Sequence, residues 1–209
     1  LMRVARPAVY GQFVFLAAAY TILTLGFINQ DFSIAYVAQN SNLQLPPEYR
    51  VSAVWGAHEG SLLLWVLILS LWSVALAALS HKLPQRFMAR ALGTLGIISI
   101  GFLSFTAFTS NPFERHVPPL PDGNDLNPLL QDPGLIIHPP MLYLGYVGCS
   151  IAFAFAVAAL IDGKLEAVAI EDRGTRRGDE IARLPFDGVV LHHHAELDEP
   201  SADRAKHKK

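Results

Sequence analysis

Four long stretches of the sequence contain no Asp, Glu, Lys or Arg, and this feature limits the possible folds more than any other. They cover residues 7–30, 60–81, 91–113 and 133–161. A bilayer core about 30 Å thick is crossed by roughly 20 apolar residues in a helix, so each stretch is long enough. One such stretch could be a buried core helix, but four in succession predict a multi-pass membrane protein. The predicted fold class is therefore all-α membrane, a four-helix transmembrane bundle with spans at about residues 10–29, 59–80, 91–110 and 138–161.

The sequence after the fourth stretch has a different character. Residues 167–209 are rich in charged side chains and poor in long apolar runs. Such a segment cannot bury enough apolar surface to offset its conformational entropy, so we expect a disordered, charged C-terminal tail after a transmembrane domain at residues 1–166. Three consecutive histidines in this tail, at 192–194, lack the cysteine or carboxylate spacing of a metal site. The net charge of −2 gives no electrostatic case for nucleic acid as a partner.

The distribution of basic residues predicts how the chain crosses the membrane. Loops 31–57 and 110–132 contain more acidic than basic residues, whereas the other connections are basic. Lys and Arg near the ends of spans stay on the cytoplasmic side. The N-terminus and the end of the fourth span are therefore expected in the cytoplasm. The two acidic loops then face outward, toward the periplasm if the cell is a Gram-negative bacterium.

His138 opens the fourth predicted span and is followed at once by two prolines, in the segment LIIHPPMLYLGYVG. Proline is tolerated in the first turn of a helix, where its missing N–H would have no partner. The residue before a proline is restricted to extended geometry. We therefore expect the helix to begin at Pro139 and Pro140, with His138 at the N-cap or just before it.

Two interpretations of His138 follow from the residues. It could be an interfacial histidine that is bonded to a loop carbonyl, or an axial ligand to haem iron or another metal. Ionisable groups at membrane depth are candidates for function, which favours testing the second interpretation. A pair of histidine ligands would need a partner, and the candidates are His58, which opens the second span, and His116, in the second outer loop.

Three segments of the sequence resemble a known family. They are YRVSAVWGAHEGSLLLW (49–65), TSNPFER (109–115) and DLNPLLQDPGLIIHPPMLYLGYVG (125–148). These segments are similar to those of CcmF-type c-type cytochrome biogenesis proteins, the membrane subunit of the haem lyase. The resemblance extends from Arg3 to about Glu166.

The resemblance implies a role in cytochrome c maturation at the bacterial inner membrane. Members of the family receive haem from the chaperone CcmE. With CcmH-type lyase partners, they guide its attachment to the C-x-x-C-H thiols of apocytochrome c. Haem b is the implied cofactor, and the histidine of the His-Pro-Pro segment, here His138, is the implied axial ligand to the iron. No residue is expected to act as a catalytic nucleophile or general base.

Three other interpretations stay open at this point. The chain could be a haem transporter of the membrane, or an electron carrier that keeps a b-type haem between two histidines. It could also be a non-functional fragment of the haem lyase, because the tail stands where the family has a tryptophan-rich segment. All three tryptophans of this chain precede Ser73. By resemblance it would be a haem lyase subunit, and alone it is expected to be inactive.

Overall fold

The computed structural model describes residues 2–80 and 83–162, and the regular secondary structure of these residues is helical. Within these ranges there is no β-strand, only an isolated bridge between Ile34 and Arg115, so the all-α prediction is confirmed for this part of the chain. The predicted tail at 167–209, with its three consecutive histidines, lies outside the described residues. The helices are α1 (Met2–Ile28), α2 (Ala35–Asn40), α3 (Pro47–Ala53), α4 (His58–Leu79), α5 (Gln85–Thr109) and α6 (Pro133–Asp162), with a 3₁₀ turn at Pro128–Gln131.

Four of these helices, α1, α4, α5 and α6, are long and apolar enough to cross a membrane. Helices α4 and α5 each pack against the other three spans. Trp65 on α4 contacts rings on two neighbours, with centroid separations of 5.0 Å to Phe102 and 6.0 Å to Tyr143. The predicted multi-pass membrane bundle is therefore confirmed.

The surface of this bundle suits a lipid environment. Large apolar side chains such as Phe15 and Phe108 are exposed on the outside of the helices. Hydroxyl groups within the spans instead donate to carbonyls of their own helix, which removes the cost of an unpaired polar group in hydrocarbon. Hydroxyls bonded in this way belong to Thr21, Thr24, Ser70, Ser73, Thr94 and Thr106.

The start of α6 differs from the sequence-based expectation. The Asp132 carboxylate accepts hydrogen bonds from the backbone N–H groups of Gly134 and Leu135, at 2.8 and 3.1 Å. This is the bonding of a helix N-cap, and Pro133 follows at the first helical position, where it needs no donor. The helix therefore begins before His138, and the prediction that His138 takes extended geometry at the helix start is wrong.

Loops 29–57 and 110–132 pack together at one end of the bundle, and we call this layer the loop cap. The Ala35 N–H donates to the Glu114 carbonyl at 2.8 Å, and the Asn124 N–H donates to the Ala38 carbonyl at 2.7 Å. The buried faces of α2 and of Leu126 and Leu130 continue into the apolar core between α1 and α4. Segments far apart in sequence thus form one layer above the ends of the helices.

Two polar groups fix the loop cap near α1 and α4. The hydroxyl and the backbone N–H of Ser33 bind the Asp31 carboxylate, and the hydroxyl bond has the largest part in lowering the pKa of that carboxyl. The Tyr36 hydroxyl accepts the Ala57 N–H and donates to the Val54 carbonyl, both at 3.1 Å. Burial raises the pKa of Tyr36, so its phenol stays protonated and keeps the donor role.

Candidate functional site

A cavity of about 410 Å³ lies where the loop cap meets the starts of α4 and α6. Its volume falls in the range of about 300–1,000 Å³ that is typical of small-molecule sites. Three chain segments form its walls: the connection from α3 into α4, the 3₁₀ turn, and the first turns of α6. The lining residues are Trp55, Gly56, Ala57, His58, Ser61, Asn127, Leu129, Leu130, Leu135, His138, Pro139 and Tyr143.

The cavity brings together two of the three candidate histidines. His58 lies at the first position of α4, His138 lies in the second turn of α6, and both side chains are exposed. His116 does not line the cavity. It lies in the loop cap, where its backbone N–H donates to the Ser33 carbonyl at 2.9 Å. The structure therefore pairs His138 with His58 and leaves His116 apart.

The His58 ring is oriented by groups from the end of α5. Its Nδ1 lies 3.0 Å from the hydroxyl oxygen of buried Ser110, and its ring meets Phe105 edge-on at a centroid distance of 6.0 Å. The hydroxyl can accept Nδ1–H, and that tautomer leaves a lone pair on Nε2 for a metal. Metal-binding imidazoles commonly use the second nitrogen in this way.

The backbone around His138 has an unusual hydrogen-bond pattern. Pro139 and Pro140 lie inside α6, and neither supplies the N–H that a helical residue donates to the carbonyl four residues earlier. The Ile136 carbonyl, which Pro140 leaves unpaired, accepts the indole N–H of Trp55 at 3.0 Å. The sequence does not predict this bond of Trp55, because it joins residues 81 apart.

The remaining walls of the cavity are largely apolar and are held by local bonds. The Asn127 side chain accepts the Leu129 N–H at 3.1 Å and so caps the 3₁₀ turn. This turn presents Leu129 and Leu130 to the cavity opposite Leu135 of α6. The 3₁₀ turn and the start of α6 thus form adjoining walls of the cavity.

The arrangement combines exposed imidazoles with apolar and aromatic walls. Such a site suits a flat, apolar ligand that carries its own metal ion, because the walls bury the ligand and an imidazole nitrogen binds the metal. Among residues 2–80 and 83–162, no three His, Cys, Asp or Glu side chains cluster closely enough to hold a metal ion.

A family model described as cytochrome C assembly protein matches residues 55–203 of the chain. The matched range includes the helices that carry His58 and His138. It also extends past residue 162, the last residue that the structure describes.

Individual proteins show the same similarity. The cytochrome c-type biogenesis protein CcmF of Pseudomonas aeruginosa is 62% identical over 167 residues, which are 79% of this chain and 25% of that protein. CcmF of Escherichia coli K12 is 54% identical over 168 residues, 80% of this chain and 26% of that protein. A solved structure described as cytochrome c heme lyase CcmF aligns with a TM-score of 0.70 at 30% identity, covering 82% of this chain and 27% of the solved one. The chain therefore spans about a quarter of the length of these relatives.

Proposed function

This chain belongs to the cytochrome C assembly protein family, and from that membership we propose that it is a haem-handling membrane subunit of cytochrome c maturation. The observation that carries the proposal is the cavity below the loop cap, which His138 and His58 both line. The cavity lies at one end of a helical bundle, where a ligand could be reached from outside the membrane. It combines a metal-binding group with apolar surface, which are the two requirements of a haem.

The residues present fit one part of a haem site. His138 is the proposed axial ligand, and Leu129, Leu130 and Leu135 would cover the apolar porphyrin. His58 is the proposed second imidazole, oriented by the Ser110 hydroxyl. The proposed cofactor is haem b, which when bound supplies the vinyl groups that react with cytochrome thiols. The chain itself would hold and orient the haem. The reaction would then be favoured by the proximity of the vinyl groups to the cytochrome thiols.

The proposed partners follow from this role. Haem would arrive from a chaperone of the CcmE type, and the acceptor would be the C-x-x-C-H segment of apocytochrome c, assisted by CcmH-type lyase partners. These proteins would approach at the loop cap, since it surrounds the cavity. The proposed location is the bacterial inner membrane, with the N-terminus and the end of α6 in the cytoplasm.

The orientation can be measured by the accessibility of introduced cysteines. In a Cys149→Ala background, which removes the chain's only cysteine, we expect a membrane-impermeant maleimide to label Pro119→Cys in intact spheroplasts. Arg86→Cys, which is also exposed and lies at the other end of the bundle, should react only after lysis, because basic connections stay in the cytoplasm. The opposite pattern would put the cavity on the wrong side of the membrane for apocytochrome c.

A chimera tests the function. Residues 3–162 of this chain would replace the corresponding segment of the Pseudomonas aeruginosa relative, in a strain that lacks its own copy. We expect haem-stained c-type cytochromes at near-normal levels, because the segment is 62% identical to the part that it replaces. A chimera with His116→Ala should also be active. A chimera that reaches the membrane in normal amount but yields no mature cytochrome would contradict the proposed function.

A further inference from the structure

A proline inside a helix leaves a carbonyl without its usual donor, and α6 contains such a carbonyl next to the candidate site. Pro140 cannot donate to Ile136, four residues earlier. An unpaired backbone group costs free energy where water is scarce, so structures usually provide another donor. Here the donor is the indole N–H of Trp55, whose Nε1 lies 3.0 Å from the Ile136 oxygen.

The bond between Trp55 and Ile136 also connects the two segments that carry the candidate histidines. Trp55 lies three residues before His58, and Ile136 lies two residues before His138. The bond therefore joins the two segments that carry the histidines, close to the start of each helix. The Trp55 ring also forms part of the cavity wall between them.

Another tryptophan shows what is particular to this bond. The Trp72 indole donates to the Leu144 carbonyl of α6 at 3.1 Å, so it also connects α4 to α6. The residue four positions after Leu144 is Gly148, which has an N–H for the helical bond. Trp72 therefore adds a bond to a carbonyl that has its own helical donor, and Trp72 does not line the cavity.

We propose that Trp55 is a positioning residue, which holds the proline-containing turn of α6 so that His138 faces the cavity shared with His58. This inference rests on the proposed function, because positioning matters for a ligand that binds His138. Without the indole N–H, the Ile136 carbonyl would need another donor, and the first turns of α6 would move relative to α4. His138 would then be offset from the cavity walls although its own side chain is unchanged.

The test uses Trp55→Phe in the full, detergent-solubilised chain, with Trp72→Phe as the matched control. Both changes keep an aromatic ring and delete one indole N–H that reaches an α6 carbonyl. We expect Trp55→Phe to weaken the binding of added hemin by about tenfold, roughly the effect of one hydrogen bond. Without hemin, hydrogen exchange of α6 amides at 134–146 should quicken by a similar factor in this variant. Trp72→Phe should change hemin binding by less than about twofold.

A second change distinguishes two roles of Trp55: positioning α6 against α4, and merely donating a hydrogen bond to the Ile136 carbonyl. Pro140→Ala in the Trp55→Phe background supplies a helical N–H to Ile136 without restoring the link to α4. Positioning predicts that amide exchange slows again while hemin binding stays weak. Recovery of hemin binding would overturn the proposal, as would unchanged binding in Trp55→Phe.

Two further variants cover the remaining outcomes. Replacing Trp55 by benzothienylalanine, which keeps the shape of the indole but has sulfur in place of the N–H, serves if Trp55→Phe does not fold. It should weaken hemin binding by about tenfold, and unchanged binding would overturn the inference. His138→Ala tests the proposed function separately. Loss of binding in His138→Ala with normal binding in Trp55→Phe would defeat the inference alone, whereas retained binding in His138→Ala would defeat the proposed function.

Discussion

Replacing His138 with alanine is expected to abolish hemin binding by this chain, with an affinity more than about a hundredfold below that of the unchanged protein. Loss of a group that only supports a metal ligand already costs about 10–100-fold, so loss of the ligand should cost more. The side chain is exposed on α6, so its removal should not unfold the bundle. The measurement is a hemin titration followed by the Soret band, with circular dichroism to show intact helices.

Two other histidines give this experiment its controls. His116→Ala should bind hemin normally, because His116 is apart from the cavity. His58→Ala should give an intermediate loss and a changed Soret position if its Nε2 is the second iron ligand. Equal binding by the His138→Ala and unchanged proteins would remove His138 from the site, and equal losses in all three variants would indicate non-specific binding.

Gly60→Ala is expected to destabilise the folded chain by about 3 kcal/mol, near the upper end for overpacking a filled interior. A Cβ atom at position 60 would overlap the Val54 carbonyl oxygen and lie 2.7 Å from the Tyr36 hydroxyl. A backbone carbonyl cannot move aside as a flexible side chain can, so the first turn of α4 would have to shift. That shift would break the bonds of Tyr36 to the loop cap and displace His58.

The matched control is Gly93→Ala in α5. A Cβ atom there meets nothing within 4 Å, so the same substitution adds only helix propensity and should leave stability unchanged or raise it by up to about 1 kcal/mol. Thermal unfolding in detergent measures both variants. Similar midpoints for Gly60→Ala and Gly93→Ala would show that the close approach at Gly60 is not a constraint on the fold.

The spans could be predicted from the sequence because their signal is local. An uncharged apolar stretch of membrane length predicts a helix whatever its neighbours are, and the predicted limits of the second span, 59–80, differ by one residue from α4. The first and third spans extend further, because α1 and α5 continue into polar and charged residues at their N-terminal ends. A charged residue marks the end of an apolar stretch in the sequence, but a helix can continue through charged residues where they are exposed to water.

The start of α6 shows why one part of the candidate site was predicted wrongly. The two prolines after His138 predict a helix start, although Asp132, Pro133 and Gly134 already form a capped start. At Pro140 a distant indole supplies the donor that the helix lacks, and no local pattern reveals that partner. The sequence offers both His58 and His116 as partners of His138 and cannot choose between them, since the meeting of His58 with His138 at one cavity depends on how α4 packs on α6.

The hydrogen bonds of the loop cap impose an order on biosynthesis. The N–H of Ala35 and the carbonyl of Ala38 find their partners at Glu114 and Asn124, which leave the ribosome only after α5 has been made. Until then the nascent hairpin of α1 and α4 holds backbone groups that must stay hydrated. The cavity beside His138 is therefore completed late in insertion, because its α6 wall is synthesised after both of these loop segments.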